Sequence, residues 1–323
     1  MKKIIVMGAS KGGVAALRTI VRALPKDFDA PMLVVQHVGD ESMLPSVLND
    51  VSALPARHAK DGDLIEAGQI LVAPPNHHML VTDGGVELTR GPRENWSRPA
   101  LDPLFRTAAA AYGEAVIGVV LTGRLNDGTA GLFEIKRLGG VAIVQEPSEA
   151  EAPSMPQSAL ANVAIDHRLP LRKIAGCLLH LVDQAEHDEN QTSHGSSMRE
   201  FAAALGDTPL APSWPECGGV MREDHLGPIM RFRCHIGHRM TAEVLAAAQS
   251  LVLENQLAAC LRLLKERAEL CRDIARKEER RGDTEARDAW ASAAQQAQVQ
   301  AEKLRPLTEA EWRHPEAPRE QHR

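Results

Sequence analysis

The stretch I-I-V-M-G-A-S-K-G-G-V, residues 4–14, decides the fold class of this 323-residue chain. Its first four residues form a short apolar run typical of a buried strand. From Val14 to Leu24, apolar residues recur every three or four positions, as on one face of a helix. The turn between them has the pattern G-x-S-x-G and holds Ser10. Glycines allow the tight backbone of such a turn, and a helix N-terminus favours developing negative charge. The stretch therefore predicts an α/β fold with a candidate nucleophile at Ser10.

Two other interpretations of this loop stay open. A strand, a glycine-rich turn and a helix also bind the pyrophosphate of a dinucleotide. That interpretation expects an acidic residue after the second strand, where this chain has Gln36 and His37. It also expects a tyrosine with a lysine four residues later, but the single tyrosine, Tyr112, is followed at that distance by Val116. The second alternative is a serine that merely caps the helix.

A histidine and an aspartate follow two further apolar strands. His37 comes directly after P-M-L-V-V-Q, and Asp127 follows A-V-I-G-V-V-L-T-G-R-L-N. Because ligands bind at the carboxyl ends of the strands in open α/β sheets, we expect both residues at the same edge as Ser10. A serine hydroxyl needs an imidazole as its base, and the imidazole needs a carboxylate that fixes its tautomer. The three residues are therefore a candidate catalytic triad.

Six segments carry a resemblance to a known family. The chain resembles the chemotaxis-receptor methylesterases (CheB-type protein-glutamate methylesterases) over residues 1–182, without a receiver domain in front. The segments are G-A-S-K-G-G at 8–13, Q-H at 36–37, A-P-P-N-H-H-M at 73–79, R-P-A-L-D-P-L-F at 98–105, L-T-G-R-L-N-D-G at 121–128 and M-P-Q-S-A at 155–159.

The resemblance implies a reaction and a substrate. Ser10 would be the nucleophile, His37 the base and Asp127 the orienting acid. The substrate would be the γ-methyl ester of glutamate on the helical signalling domain of a methylated chemoreceptor, with deamidation of glutamine as a related activity. Catalysis would need no cofactor. We expect backbone N–H groups after Ser10, including that of Gly12, and in segment 123–126 to bind the oxyanion. Met155 is implied to lie in a proline-rich loop over the cleft.

The chain departs from the family pattern beside the proposed site. Lys11 stands where the family has threonine, and Arg124 and Leu125 stand where it has methionine and glycine. The two cations either point to solvent or assist an oxyanion or an anionic partner. Replacement of glycine by Leu125 predicts a change in the shape of the Asp127 loop, because glycine adopts positive φ more readily. The alternative function is a non-enzymatic adaptor of a chemosensory pathway.

Other polar residues near these segments have structural explanations. Residues 69–90 alternate apolar and polar side chains around Asp83, which predicts a β-hairpin. His77 and His78 at its start are candidates for the cleft or inert surface residues. Arg98 and Asp102 flank the start of a helix and are expected to pair with each other or with the backbone.

Composition limits the functional classes. A net charge of -6 and a pI near 6.1 give no reason to expect nucleic acid as a partner. We expect no membrane insertion, because we find no secretory signal and no apolar run approaching 18 to 20 residues. A cytoplasmic location follows. The first strand of the esterase-like domain begins near Lys3, so we expect no receiver domain that could switch the activity. We therefore expect regulation by a partner, by the C-terminal extension or by substrate availability.

The C-terminal extension divides into four predicted segments. After a catalytic domain at 1–183, residues 184–212 read as a flexible linker. Segment 213–240 resembles a small zinc ribbon in which Trp214 replaces the first cysteine. Residues 241–305 predict a helical hairpin, and residues 306–323 a disordered tail.

The resemblance to a zinc ribbon leaves an incomplete ligand set. Cys217, Cys234 and His238 match ligand positions, with His225 or His235 as fourth candidates. A structural zinc ion wants four ligands, so the alternatives are a retained zinc site and a packed turn in which Trp214 fills the lost volume. The helical hairpin either buries its apolar stripe internally or offers it for partner docking. The predicted fold is thus a doubly wound, mostly parallel α/β sheet with a β-hairpin, followed by a degenerate zinc-ribbon-like turn and the helical hairpin.

Overall fold

A computed structural model describes residues 3–37, 39, 41–187, 214 and 218–310. Its main element is a seven-stranded parallel sheet with the strand order β3-β4-β2-β1-β7-β8-β9. The strands of this sheet are β1 (Ile4–Ala9), β2 (Met32–Gln36), β3 (Ala56–His58), β4 (Ile70–Val72), β7 (Val116–Val120), β8 (Val141–Gln145) and β9 (His167–Leu169).

Helices cover both faces of the sheet, which confirms the predicted doubly wound fold. One apolar core joins the sheet to α1 (Gly13–Arg22), α2 (Leu44–Asn49) and α6 (Leu171–His187). The second core lies on the opposite face and joins it to α3 (Leu101–Tyr112), α4 (Thr129–Arg137) and α5 (Ser154–Asn162). Strands buried on both faces are apolar throughout, and for this reason the sequence shows continuous apolar runs rather than alternation.

The predicted hairpin is shorter than residues 69–90. Only β5 (His78–Val81) and β6 (Val86–Thr89) pair as an antiparallel hairpin. Residues 70–72 instead form β4 of the main sheet, between β2 and β3. Alternation alone did not separate a buried sheet strand from the hairpin that follows it.

A small three-stranded antiparallel sheet follows the α/β domain. It consists of β10 (Met221–Leu226), β11 (Ile229–Cys234) and β12 (Arg239–Thr241). We use the name C-terminal ribbon for Trp214 and residues 218–245. Its apolar core is Trp214, Met221, Cys234, Met240, Val244 and Leu245, and Trp96 and Leu125 of the α/β domain pack against that core. Met1–Leu245 form one compact unit, so the C-terminal ribbon lies in the same unit as the α/β domain.

The second compact unit, Ala246–Arg323, contains the helical hairpin. Helix α7 (Ala242–Arg281) begins at the end of the ribbon, and α8 (Thr284–Thr308) follows it after a short turn. Arg272 of α7 donates to Gln298 of α8 over 3.3 Å, as in the predicted antiparallel pair.

Helix α7 contains one long, largely apolar segment. It contains an 18-residue window with a mean hydropathy of 1.3 and at most two charged residues, and 17% of that window is buried. Length and composition alone would allow such a helix to cross a membrane, although the window is not the continuous apolar run that the sequence analysis considered. Core helices of soluble proteins share this length and composition, so the window alone does not assign a membrane span.

Two predicted boundaries also move. Helix α6 continues to His187, four residues past the expected end of the catalytic domain at 183, and α8 continues to Thr308, past the expected start of the tail at 306. The rest of the predicted linker to residue 212, and the tail from 311, lie outside the described residues.

Candidate active site

Ser10 and His37 leave neighbouring strands side by side. Ala9 of β1 is paired with Gln36 of β2, so Ser10 and His37 are the next residues along two adjacent parallel strands. The amide of His37 donates to the carbonyl of Ala9 over 3.1 Å. Adjacent strands lie about 5 Å apart, so the two side chains start at neighbouring backbone positions. The Ser10 hydroxyl makes no hydrogen bond to any described residue.

His37 and Asp127 are joined directly. The Nε2 atom of His37 lies 2.7 Å from Oδ2 of Asp127. The aspartate side chain is 2% exposed and the histidine side chain 18% exposed, so the ring faces the open cleft while the carboxylate is buried. Since Nε2 serves the aspartate, Nδ1 is the nitrogen left for a reacting group. The predicted convergence of the strand ends after β2 and β7 is therefore present for this pair.

The start of helix α3 holds the Asp127 carboxylate. Oδ2 accepts from the amide of Leu101 over 2.7 Å, and Oδ1 accepts from the amides of Asp102 and Gly128 over 3.3 and 3.0 Å. Burial would raise the pKa of Asp127, but the hydrogen bond and charge of His37, together with these donors, hold its pKa below the ordinary value of 3.8. Asp127 is therefore an ionised partner that orients the imidazole.

Asn95 completes the surroundings of Asp127, and the sequence analysis missed it. Its Nδ2 donates to Oδ1 of Asp127 and to Oδ2 of Asp102, both over 2.7 Å. Asp102 also accepts from the amide of Gly131 over 2.7 Å. Burial, and then the charge of Asp127, raises the pKa of Asp102 to about 7. Asp102 and Arg98 do not pair with each other. Both bond to the backbone, which was the other expected alternative, and Asp102 also accepts from Asn95.

The loop that carries Ser10 is fixed from two sides. Thr122 Oγ1 lies 2.9 Å from the carbonyl of Lys11, and the amide of Ser10 donates to the Thr122 carbonyl over 2.9 Å. From the other side, Gln36 Nε2 donates to the carbonyls of Ser10 and His37 over 2.8 and 3.1 Å. Gln36 thus ties the candidate nucleophile loop to the candidate base.

Met155 lies against the serine loop, but not within a loop of its own. It is fully buried in the first turn of α5, which corrects the predicted proline-rich loop. A Cβ atom added at Gly123 would lie 1.9 Å from the Met155 sulfur and 2.9 Å from Ser10 Cβ. Gly123 therefore allows Met155 and the serine loop to approach each other closely.

Backbone donors for an oxyanion remain on both candidate loops. The amide of Gly123 is already bonded to the Ala152 carbonyl over 2.8 Å, which removes it from the predicted set. The amides of Lys11, Gly12, Arg124 and Leu125 have no acceptor among the described residues. These four N–H groups flank the position of Ser10.

The two cations that depart from the family pattern, Lys11 and Arg124, lie at the surface. The side chains of Lys11 and Arg124 are both exposed, and neither has a hydrogen-bond or ion-pair partner among the described residues. Leu125 adopts φ 62°, the left-handed conformation that glycine adopts more readily. Its side chain packs against the core of the C-terminal ribbon, which offsets a cost of about 1–2 kcal/mol for this conformation.

A polar cleft of about 140 Å³ adjoins His37. Arg93 and Arg98 line it, and Arg98 donates to Asn76 Oδ1 over 2.7 Å and to backbone carbonyls rather than to Asp102. The residues that line the cleft are His37, Gly39, Asn76, Arg93, Trp96, Ser97, Arg98 and Pro99.

His77 and His78 have structural roles. His78 is buried, and its ring bonds to the Pro92 carbonyl over 3.0 Å and to the Ala100 amide over 3.3 Å. Burial lowers the pKa of His78, which keeps the ring neutral. His77 bonds to the Pro75 carbonyl over 2.9 Å and accepts from Arg90 over 3.1 Å.

The candidate zinc ligands are only partly described. Cys234 Sγ lies 3.2 Å from His238 Nδ1, but Cys217 lies outside the described residues. His225 is paired with Glu223. Within the described ranges, no three candidate ligands come together. Trp214 is 1% exposed and stacks on the His238 ring with centroids 4.3 Å apart, as expected of a residue that fills the volume of a lost ligand. A zinc ion stays a prediction.

Comparisons with known proteins agree on the α/β domain. A family model described as CheB methylesterase matches residues 5–178. A Leptospira interrogans protein, provisionally named as a protein-glutamate methylesterase/protein-glutamine glutaminase, is 41% identical over 180 residues, which cover 55% of this chain and 93% of that protein. An Anaeromyxobacter dehalogenans relative with the same double name is 38% identical over 181 residues, 55% of this chain and 53% of its own length.

A solved structure shows the same fold. The Thermotoga maritima CheB methylesterase catalytic domain aligns with 56% of this chain and 100% of that chain, with a TM-score of 0.54 and 36% sequence identity. The family match ends at residue 178, before the C-terminal ribbon and the helical hairpin. This chain belongs to the CheB methylesterase family.

Proposed function

We propose that this protein hydrolyses γ-methyl esters of glutamate on the signalling domain of methylated chemoreceptors in the cytoplasm, through Ser10, His37 and Asp127. The main support is the 2.7 Å contact between His37 and Asp127 beside the strand end that carries Ser10. The names of the relatives support the substrate and add a second activity, deamidation of protein glutamine. Catalysis in this proposal needs no metal or other cofactor.

The first half of the reaction forms an acyl-enzyme. Ser10 Oγ attacks the ester carbonyl carbon, and its proton moves to Nδ1 of His37 because Nε2 is held by Asp127. The imidazolium then gives this proton to the methoxy oxygen, and methanol leaves. The ionised carboxylate of Asp127 stabilises the imidazolium while it exists. A positioned base of this kind accelerates a reaction by about 10²–10⁴-fold.

The second half regenerates the serine. Water replaces methanol in the cleft, gives a proton to His37 and attacks the acyl carbon, after which the proton returns to Ser10 Oγ. In both halves the carbonyl oxygen becomes an oxyanion. The unpaired amides of Lys11 and Gly12 on one side, and of Arg124 and Leu125 on the other, are our candidates for its donors. Each donor of this type lowers the barrier by about 3–4 kcal/mol.

The exposed cations support an acidic protein substrate. Lys11 and Arg124 flank the serine, and Arg93 and Arg98 line the adjacent cleft. Glutamates beside a methylated glutamate would meet this positive edge. Since the side chains of Lys11 and Arg124 are exposed and bond to no described residue of the triad, their presence is compatible with turnover.

Methanol release from a methylated receptor tests the proposal. We expect release with the wild-type protein and a loss of at least about 10³-fold with Ser10→Ala, because the nucleophile is gone. Ser46→Ala is the matched control, since Ser46 is exposed on α2 and remote from the cleft. Ammonia release from an unmethylated receptor with glutamine at the same sites tests deamidation.

The remaining outcomes identify the alternative. Equal rates for wild type and Ser10→Ala would exclude the triad. Binding of several receptors without release of methanol or ammonia would favour the non-enzymatic adaptor.

A further inference from the structure

The two buried carboxylates next to His37 share one amide donor. Asp127 and Asp102 each accept a 2.7 Å hydrogen bond from Nδ2 of Asn95, one from each of its two hydrogens. Without this donor, the two acidic groups would face each other in a buried site. Both are less than 5% exposed, where repulsion between like charges is strong.

The C-terminal ribbon fixes the backbone and the side chain of Asn95. The amide of Asn95 donates to the Arg239 carbonyl over 2.9 Å, and its Oδ1 accepts from the amide of Thr241 over 3.4 Å. Asn95 also adopts φ 48°, a conformation that asparagine tolerates better than most residues. Every hydrogen-bonding atom of this side chain is therefore used, the amide nitrogen on the acids and the oxygen on the ribbon.

The ribbon also holds the residue before Asp127. Asn126 Nδ2 lies 2.7 Å from Thr241 Oγ1 and 2.7 Å from Glu243 Oε2, and Thr241 Oγ1 lies 2.9 Å from Asn126 Oδ1. The apolar neighbours of the two asparagines, Trp96 and Leu125, pack against the ribbon core. The ribbon is thus contacted at two places by consecutive residues, one polar and one apolar. These pairs are Asn95 with Trp96 and Asn126 with Leu125.

We propose that the C-terminal ribbon positions the catalytic acid, with Asn95 and Asn126 as the positioning residues that transmit its position to Asp127. This inference rests on the proposed triad. It assigns a role in catalysis to a segment outside the family match, which ends at residue 178. Neither asparagine touches the reacting atoms. Their contribution is to keep the carboxylate oriented towards His37 Nε2 and paired with a donor.

Asn95→Asp and Thr241→Val test the two ends of this path in the full chain. Asn95→Asp keeps the size and the tolerance for positive φ, but replaces a donor with a third carboxylate. We expect kcat to fall at least about tenfold with KM changed less than about twofold, and the titration midpoint of His37, followed by NMR, to rise by about half a pH unit or more. Thr241→Val leaves Asn95 in place, and we expect a fall in kcat of at least about threefold.

Matched controls separate positioning from general loss of stability. Asn49→Asp disturbs an asparagine that bonds only to the Ala56 backbone, far from the cleft. Thr107→Val removes a partly buried hydroxyl that accepts from Val81 over 2.9 Å. We expect both controls to keep the kcat and the His37 midpoint of the wild type. Among the described residues, the charged groups at the ring, behind Asp127 and in the adjoining cleft are Asp127, Asp102, Arg93 and Arg98, and all four variants keep them.

Each outcome decides the question. If Asn95→Asp and Thr241→Val behave like their controls in both measurements, the ribbon does not position Asp127. If Asn95→Asp does not fold, Thr241→Val decides through the same two measurements. If the wild type releases no methanol, the proposed function fails, but the His37 midpoint needs no turnover and still tests the positioning.

Discussion

The two buried aspartates beside His37, Asp127 and Asp102, have pKa values shifted in opposite directions. Asp127 accepts from His37, Asn95 and three backbone amides, and this set of donors lowers its pKa despite complete burial. Asp102 accepts from Asn95 and Gly131, and burial together with the charge of Asp127 raises its pKa to about 7. The number of donors therefore decides which carboxyl group is ionised beside the imidazole.

Asp102 should make folding stability depend on pH. Its pKa rises from 3.8 to about 7 on folding, so the folded state holds the proton more tightly. The resulting stabilisation is complete below about pH 4 and is lost as pH rises to about 7. Between pH 5 and 8, the unfolding free energy of the wild type should fall by up to about 3 kcal/mol more than that of Asp102→Asn. Urea titrations at several pH values measure this difference. Asp61→Asn removes a surface carboxylate that accepts from Leu88 and should keep the wild-type slope. Parallel slopes for wild type and Asp102→Asn would contradict the raised pKa.

At the scale of single residues, the sequence predicted which candidate groups lie at the strand ends. Ser10, His37 and Asp127 follow buried strands, and the geometry of a parallel sheet brings such residues to one edge. Asn95 was missed because it lies in the irregular segment between β6 and α3, where no periodicity marks it. Its contacts depend on β12, 144 to 146 residues later in the chain, and a single sequence carries no signal for such pairing.

Among the elements, the loop between β7 and α4 depends on a glycine. Gly123→Ala would place Cβ 1.9 Å from the Met155 sulfur and 2.9 Å from Ser10 Cβ, so Met155 or the serine loop must move. We expect kcat to fall at least about tenfold, because displacements of about 1 Å at a catalytic group have large effects. Gly176→Ala is the control, since no atom lies within 4 Å of its added Cβ in α6, and it should stabilise the protein by about 0.5–1 kcal/mol. Wild-type kcat in Gly123→Ala would show that Met155 does not support the serine loop.

Element prediction succeeded where burial on both faces gives a continuous apolar run. The strands β1, β2 and β7 and helix α1 agree with their sequence patterns. The pattern could not separate β4 from the following hairpin, because both lie in one alternating block. It also placed Met155 in a loop, since prolines at positions 153 and 156 suggested irregular structure, although proline is well tolerated in the first turn of a helix. Leu125 adopts the left-handed conformation with its side chain packed against the ribbon core. The local sequence carries no signal for this contact.

At the scale of the whole molecule, the C-terminal ribbon packs with the α/β domain. Residues 1–245 form one compact unit. Gly227 in the turn between β10 and β11 contacts the Phe133 ring of α4 so closely that an added Cβ would lie 2.4 Å from it. Together with the contacts of Asn95 and Asn126, this packing joins the ribbon to the α/β domain at several points. The resemblance to a zinc ribbon gave no indication that Trp96 and Leu125 of the α/β domain would pack against the ribbon core.

If the ribbon and the active site form one cooperative unit, loosening the ribbon core should expose the amides around Asp127. Trp214 is 1% exposed and stacks on His238, so Trp214→Ala should cost about 3–5 kcal/mol of stability in this region. We expect faster hydrogen exchange in the ribbon peptides and also in peptides covering Asn95 and Leu101, whose amides bond to Arg239 and Asp127. Trp290→Ala removes a tryptophan that is 39% exposed on α8 and should leave exchange at both sites unchanged. Faster exchange confined to the ribbon peptides would show that the ribbon opens independently, and the catalytic acid would then keep its position without it.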